Sequence, residues 1–187
     1  MKSIKETINE ISKNFIDLAE MSSQQINNAS NLISGSILNG GKIMFCGNGG
    51  SAADAQHLSA ELVGRYMKNR EPIASIALST DTSVITAISN DFSFDDIFSR
   101  QVEAIGNEGD ILYAISTSSK SKNVIAALNT ARNMNIKTIG VTGNDDSGFK
   151  DSCDIIINAP ASRTDRIQEM HIAIGHVICE ILESKLC

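Results

Sequence analysis

Several features that would direct a chain to other functions are missing from this sequence. It has no tryptophan and only 4% aromatic residues, which do not interleave with basic residues as the stacking platforms of single-stranded nucleic acid binding proteins do. Acidic residues outnumber basic residues by 22 to 16, which gives a net charge of −6. Because no cluster of Lys and Arg stands out, we expect neither a nucleic acid nor a membrane partner.

Long apolar segments are also missing. The first 15 residues alternate charges with isolated isoleucines and lack the apolar core of a signal peptide. No apolar run approaches the roughly 20 residues of a membrane span. The four cysteines have no C-x-x-C spacing and indicate neither a cysteine zinc site nor a disulfide framework. We therefore expect a cytoplasmic protein with reduced thiols.

The length of 187 residues suits a single domain, 1–187. Apolar residues step by three and four over residues 4–18, and a second such run over 26–37 ends at Gly40-Gly41, which predicts two N-terminal helices. The same spacing predicts a long C-terminal helix, 164–186. Narrow apolar seams at both ends favour packing between helices of different subunits. We interpret residues 1–40 as oligomerisation helices and residues 41–187 as the core.

The core alternates short apolar runs with helical patterns. The runs are rich in β-branched residues and bounded by Gly, Ser, Asp and Thr, which predicts five buried strands. This alternation indicates an α/β fold, with a parallel sheet flanked by helices on both faces. The predicted strands are 42–46, 73–78, 111–115, 137–142 and 154–158, and the predicted helices between them are 51–67, 82–89, 94–105, 121–135 and a brief one near 147–152.

Loops at the carboxyl ends of parallel strands bind ligands in such sheets, and three of them have unusual compositions. Small residues at 47–51 let the backbone approach an anion at a helix start, while the hydroxyl-rich run 116–121 is a neutral phosphate holder. Serines there are also ordinary helix caps. Asn90 and Asp91 lie in another connection and are candidates to contact sugar hydroxyls.

The glycine pattern also matches a dinucleotide fingerprint. The acidic residue expected at the end of the second strand is missing, however, which disfavours a nicotinamide cofactor. A Walker A motif is missing as well, so the sequence does not favour nucleotide hydrolysis of that type.

Two helices carry candidate chemical groups. His57 and Glu61 lie one turn apart, where they could hold a metal or move a proton, although Glu61 also fits an ordinary surface pair with Arg65. On the last helix, His176 lies opposite the apolar stripe. Gln168 precedes it by roughly 12 Å of helix, so only converging side chains could share a ligand with it.

Four separated blocks then resemble one family. They are FCGNGGSAADAQHLSAELVGRY, SNDFSFDDIFSRQVEA, AISTSSKSKNVI and RTDRIQEMHIAIGH, and in this order they resemble the phosphoheptose isomerases of the SIS domain superfamily. The resemblance implies an SIS-type three-layer sandwich, assembled as a homotetramer with active sites between subunits. It also implies conversion of D-sedoheptulose 7-phosphate to D-glycero-D-manno-heptose 7-phosphate, the first step of nucleotide-activated heptose synthesis for lipopolysaccharide or capsule.

The resemblance also implies roles for individual residues. An aldose–ketose isomerisation through an enediol needs a base and an acid, which we assign to Glu61 and His176. One Zn²⁺ per subunit is implied, with His57, Glu61, Gln168 and His176 as ligands. Substrate contacts are implied for Asn48, Gly49, Gly50, Ser51, Glu61, Asn90, Asp91, Ser116, Thr117, Ser118, Ser121 and Gln168, and Arg65 and Asp165 match further polar positions.

One departure and one rival interpretation accompany the resemblance. The family commonly has Gly-Asn where this chain has Ser119-Lys120, which changes the loop if a positive φ is needed there, and Lys120 would add charge near the phosphate. The rival is a non-catalytic SIS protein that binds a phosphosugar or associates with a replication initiator. That relative carries no acid and no histidine at the positions of Glu61 and His176. The presence of both favours the isomerase.

Overall fold

Five parallel strands form one sheet in the computed structural model, which describes residues 2–187. They are β1 (Ile43–Gly47), β2 (Ser75–Ala77), β3 (Ile111–Ile115), β4 (Lys137–Thr142) and β5 (Ile155–Asn158), and their order across the sheet is β2-β1-β3-β4-β5. From β1 the chain first adds β2 on one side of the sheet, and β3, β4 and β5 then extend the sheet on the other side. A crevice is therefore expected beyond the carboxyl ends of β1 and β3, where such sheets bind ligands.

Helices cover both faces of the sheet. They are α1 (Ile4–Leu38), α2 (Gly50–Val63), α3 (Thr82–Asp91), α4 (Ser99–Ile105), α5 (Lys122–Asn133) and α6 (Thr164–Leu186), with a single 3₁₀ turn at Phe94–Asp96. Among residues 2–187, no helix combines the length and the apolar character needed to cross a bilayer.

Alternate residues of each strand enter two separate cores. Ile43, Phe45 and Tyr113 pack with α1, α2 and α6 on one face, while Met44 and Cys46 pack with α4 and α5 on the other. This division follows from the two-residue period of a strand, which sends successive side chains to opposite faces. The predicted five-stranded α/β sandwich is confirmed.

The N-terminal segment differs from its prediction. Residues 4–38 form one continuous helix of 35 residues instead of two helices. Ser22 explains the difference, because it is buried between Leu18 and Ile26 and donates to the Asn158 carbonyl at 2.7 Å. Because Ser22 is small and polar, the sequence does not show that the apolar seam continues through position 22. In the structure the seam passes through it in steps of four residues, from Leu18 to Ile26.

Two other predicted helices also change. The segment predicted near 147–152 consists of turns, as its Asp, Ser and Gly content favours. The helix predicted over 94–105 divides into the 3₁₀ turn and α4, and the intervening Ile97 and Phe98 are both buried in the core.

Candidate functional site

Helices α2 and α6 lie side by side and run in the same direction. Gly50 lies against Gln168 near the start of both helices, and His57 meets His176 further along. Beside the two histidines, Gly175 of α6 lies directly on Leu58, and any side chain at position 175 would overlap the leucine. The glycine thus permits the close approach that brings the two histidines together.

The polar residues of this helix pair converge at one point. The Nε2 atoms of His57 and His176 are 3.0 Å apart, and Glu61 Oε1 lies 3.3 Å from His57 Nε2. The ligand atoms of all three residues lie within 4.8 Å of one another. Two imidazoles and one carboxylate match the three protein ligands of many catalytic zinc sites, which leave a fourth position open. The three residues form a candidate metal site.

The cluster lies at the surface of the single chain. The side chain of His57 is 49% exposed and that of Glu61 is 25% exposed. The ring of Tyr66 covers one side by stacking on His176, with centroids 5.6 Å apart and an interplanar angle of 28°. The sequence does not predict a role for Tyr66. In the sequence, Tyr66 is noticeable only as an aromatic residue that follows the helix carrying His57 and Glu61.

The glycine loop connects β1 to this helix pair. Gly49 precedes α2 with a φ of 56°, a conformation that costs little only for glycine. At Gly50, any side chain would overlap the amide of Gln168. The structure therefore brings Gln168 to the glycine loop, while its place in the metal ligand set stays a prediction. Ser51 is buried in the first turn of α2.

An amide pair joins the loops that follow β1 and β3. Asn48 Nδ2 donates to Asn123 Oδ1 at 2.8 Å, and Asn123 Nδ2 donates to Asn48 Oδ1 at 2.9 Å. Asn123 is 2% exposed and lies in the first turn of α5, so it holds Asn48 across the crevice between the two strands. The sequence does not predict a role for Asn123, because no pattern in the 75 residues from Asn48 to Asn123 indicates that the two side chains meet.

The hydroxyl-rich loop lies at the carboxyl end of β3. Ser116 Oγ and Ser121 Oγ share a hydrogen bond of 3.1 Å, which closes the loop onto the start of α5. Thr117, Ser118 and Lys120 line one side of a cleft of about 280 Å³. The opposite side consists of Asn144, Asp145, Ala161, Ser162, Thr164 and Ile167, from the loop after β4 and the start of α6.

The departure at 119–120 has a clear structural consequence. Ser119 has a φ of 54°, so the position needs the left-handed conformation for which glycine is suited. Its buried hydroxyl accepts the Gly148 N–H at 3.2 Å. Lys120 Nζ lies 2.7 Å from Asp145 Oδ2, and this lysine, followed by the Ser147 contacts, lowers the pKa of Asp145. Both substituted residues thus tie the β3 loop to the β4 loop.

Four predicted site residues lie outside the histidine cluster. Asn90 and Asp91 form the exposed last turn of α3, where Asn90 Nδ2 donates to Asp91 Oδ1 at 2.8 Å. Asp165 pairs with Arg166 at 3.0 Å and with Arg163 at 2.6 Å, and these contacts lower its pKa to about 2. Arg65 is exposed just beyond α2. Their roles as substrate contacts stay predictions.

A larger cleft, about 590 Å³, lies elsewhere. It is lined by the ends of α1 and α6 and by the segment before β2, and none of the predicted site residues borders it. Cleft size therefore does not identify the site here. The candidate site is marked instead by the convergence of three side chains that can bind a metal ion.

Comparison with known proteins agrees with this geometry. A family model described as SIS domain matches residues 6–143. The chain is 52% identical over 159 residues to the phosphoheptose isomerase of Rhodospirillum rubrum, covering 85% of each chain. It is 50% identical over 167 residues to that of Aliarcobacter butzleri, covering 89% of this chain and 88% of the relative.

Solved structures show the same likeness. A phosphoheptose isomerase from Neisseria gonorrhoeae superimposes with a TM-score of 0.91 at 40% identity, covering 97% of both chains. One from Francisella tularensis superimposes with a TM-score of 0.93 at 34% identity, covering 97% of this chain and 96% of the other.

Proposed function

The chain belongs to the SIS domain family and, within it, to the phosphoheptose isomerases, and from this membership we propose its reaction. The enzyme converts D-sedoheptulose 7-phosphate to D-glycero-D-manno-heptose 7-phosphate, an aldose–ketose isomerisation that begins the synthesis of nucleotide-activated heptose. The observation that carries the proposal is the convergence of Glu61 with His57 and His176 within 4.8 Å.

The reaction moves a proton from C1 of the ketose to C2 through an enediol. Glu61 is our proposed base, because its carboxylate is partly exposed and lies beside His57, with Oε1 at 3.3 Å from His57 Nε2. His176 is the proposed acid, which gives a proton to the C2 carbonyl oxygen as the enediol forms and takes the proton of the C1 hydroxyl as the C1 carbonyl of the aldose forms. A positioned base and acid of this kind each contribute roughly 10² to 10⁴ in rate.

The donor set fits Zn²⁺. Two imidazole nitrogens and one carboxylate oxygen are ligands that zinc prefers, and the family resemblance adds Gln168 as a fourth. When bound, the ion supplies a Lewis acid that polarises the substrate carbonyl. Glu61 would then serve both as ligand and as base. We propose that its carboxylate shares or releases the ligand position as the substrate binds.

We assign the phosphate to the loop that follows β3. Ser116, Thr117, Ser118 and Ser121 offer hydroxyl groups beside the N-terminus of α5, where backbone N–H groups and the helix dipole favour an anion. Lys120 adds a cation at the rim of the same cleft. Along the rest of the substrate, Asn48, Gly49, Gly50 and Ser51 would pass close to the sugar, with Asn90 and Asp91 as further contacts.

We also propose a homotetramer in the cytoplasm, with sites completed by neighbouring subunits. Two features support the assembly: the histidine cluster is half exposed in the single chain, and α1 exposes Ile4, Ile8, Ile16 and Met21. Burial of such apolar surface is a main driving force for association. In this arrangement Arg65 and Asp165, which face solvent in one chain, would reach a neighbour's site.

The activity is tested by incubating the purified protein with D-sedoheptulose 7-phosphate and measuring the aldoheptose phosphate formed. We expect product with added Zn²⁺ and a loss of product after treatment with a chelator. A zinc-loaded sample that binds the sugar phosphate and forms no product would contradict the proposal and favour a non-catalytic phosphosugar-binding protein.

A further inference from the structure

A buried ion pair lies behind the histidine cluster, at the C-terminal end of α2. Arg70 Nε and Glu183 Oε1 are 3.0 Å apart, and the two side chains are only 2% and 3% exposed. Isolated charges are costly to bury, so a pair at this depth needs further partners. Both residues have them.

Glu183 binds the loop that follows α2. Its two carboxylate oxygens accept backbone N–H groups from Tyr66 at 3.0 Å, Met67 at 2.9 Å and Lys68 at 2.8 Å. Burial alone would raise the pKa of Glu183, but these three bonds and Arg70 outweigh it and lower the pKa to about 2. The carboxylate therefore stays charged over the whole working range of pH.

Arg70 binds the end of α2 itself. Its Nη2 donates to the Glu61 carbonyl at 2.8 Å, and its Nη1 donates to the Leu62 carbonyl at 2.9 Å. The last carbonyls of a helix have no partner within the helix, and a buried guanidinium satisfies two of them here. One of these two carbonyls belongs to Glu61, the proposed base.

The same contacts fix the ring that covers the cluster. The Tyr66 backbone is held by Glu183, and the Tyr66 ring stacks on His176. Glu183 and His176 lie on one helix, two turns apart, so the two contacts hold Tyr66 at both its backbone and its ring.

We propose that Glu183 and Arg70 are positioning residues of the isomerase site, which set the Glu61 end of α2 and the Tyr66 ring relative to His176. This inference rests on the proposed function for its kinetic consequence only. Its effect on metal binding follows from the geometry alone, because His57, Glu61 and His176 all lie on α2 and α6, the two helices that the pair connects.

Four variants separate this role from a merely structural one. Glu183→Gln keeps the shape but presents an amide to N–H donors, and Glu180→Gln, one turn earlier and exposed, is the matched control. Tyr66→Leu leaves the pair intact and removes the stacked ring, and Tyr66→Phe restores the ring.

The variants are compared by titration with Co²⁺ in the absence of substrate, by kcat and KM, and by thermal unfolding. Substitutions behind metal ligands commonly cost 10 to 100 fold in metal affinity, so we expect about a tenfold loss in Glu183→Gln. We expect kcat to fall by a similar factor while KM changes by less than about twofold. Glu180→Gln should bind Co²⁺ as the parent does. Tyr66→Leu should also lose affinity, and Tyr66→Phe should recover it.

Parental Co²⁺ affinity in a folded Glu183→Gln protein would overturn the inference. If that variant does not fold, equal affinities in Tyr66→Leu and Tyr66→Phe would overturn it instead. An inactive parent protein with normal Co²⁺ binding would refute the isomerase assignment, while the metal titrations would still test the positioning role.

Discussion

The Nε2 atoms of His57 and His176 lie 3.0 Å apart, although 119 residues separate the two histidines in the sequence. The contact exists because α2 and α6 run in the same direction and Gly175 lets them approach closely. A histidine pair with Glu61 beside it is costly to maintain on a surface without a function, since it orders three polar side chains.

We expect the cluster to bind a divalent metal ion through both histidines. Replacing His57 by Ala removes one of the three convergent ligands and should lower the affinity for Zn²⁺ by at least about 100 fold. Isothermal titration of the metal-free protein measures this directly. Gln56→Ala, on the neighbouring exposed position of α2, should bind as the parent does. Equal affinity in the two variants would exclude His57 as a ligand.

Lys120 should contribute to phosphate affinity. The Lys120–Asp145 pair is exposed, with 65% and 51% of the two side chains accessible, and such pairs are weak, so the lysine is free to exchange Asp145 for a phosphate dianion. Replacing Lys120 by Ala should raise KM about three- to tenfold with kcat unchanged. Replacing Asp145 by Asn should lower KM. Opposite shifts in the two variants, weakened by added salt, confirm the exchange, and an unchanged KM in both would contradict it.

Position 119 should prefer glycine to alanine. Ser119 holds a φ of 54°, which costs a residue with a Cβ about 1 to 2 kcal/mol, and its hydroxyl recovers part of this through the Gly148 N–H. Ser119→Ala removes the hydrogen bond but keeps the backbone strain. Ser119→Gly also removes the hydrogen bond, but it relieves the strain. We expect Ser119→Gly to be more stable than Ser119→Ala by about 1 kcal/mol in urea unfolding. The reverse order would show that the loop relaxes to a negative φ.

His171 should make the protein less stable in mild acid. Burial lowers the pKa of His171 to about 4 from the ordinary 6.5, although the Thr142 backbone opposes the shift. Between these values the unfolded chain binds a proton that the folded chain does not, so the free energy of unfolding falls as the pH drops. The slope from this group is at most about 1.4 kcal/mol per pH unit.

The measurement is urea unfolding between about pH 5 and pH 6.5, above the range in which most carboxylates titrate. Among the described residues, neither ring nitrogen of His171 has a partner with good hydrogen-bond geometry, and its remaining polar interaction is with the Thr142 backbone, so His171→Leu removes no well-formed side-chain hydrogen bond. We expect a shallower pH dependence in that variant. An identical slope would assign the acid sensitivity to other groups.

The sheet and its flanking helices could be predicted from the sequence because their apolar periods are strong and local. The β3 run, predicted at 111–115, is observed at Ile111–Ile115, and the last helix runs as predicted from Thr164 to Leu186. The continuity of α1 could not be predicted in the same way, because it depends on Ser22, whose burial is a tertiary effect. From the local sequence pattern alone, a serine is not expected within an apolar seam.

The same difference between local and tertiary information applies to the site residues. His57 and Glu61 could be paired from their spacing on one helix, whereas their contact with His176 came only from a family resemblance. Asn123, Asp145 and Glu183 were missed, because each meets the site across 25 or more residues of chain through a polar contact that has no periodic signature. Long-range polar contacts of this kind are set by the fold.

Isomerisation in D₂O shows whether Glu61 carries the proton between C1 and C2 of the substrate. The parent protein should deliver deuterium to C2 of the aldoheptose phosphate, because the partly exposed Glu61 carboxylate exchanges its proton with solvent before returning it. Glu61→Gln should give neither product nor exchange while unfolding at the same urea concentration. Aldose that carries only protium at C2, or a Glu61→Gln protein that exchanges at the parental rate, would contradict the account.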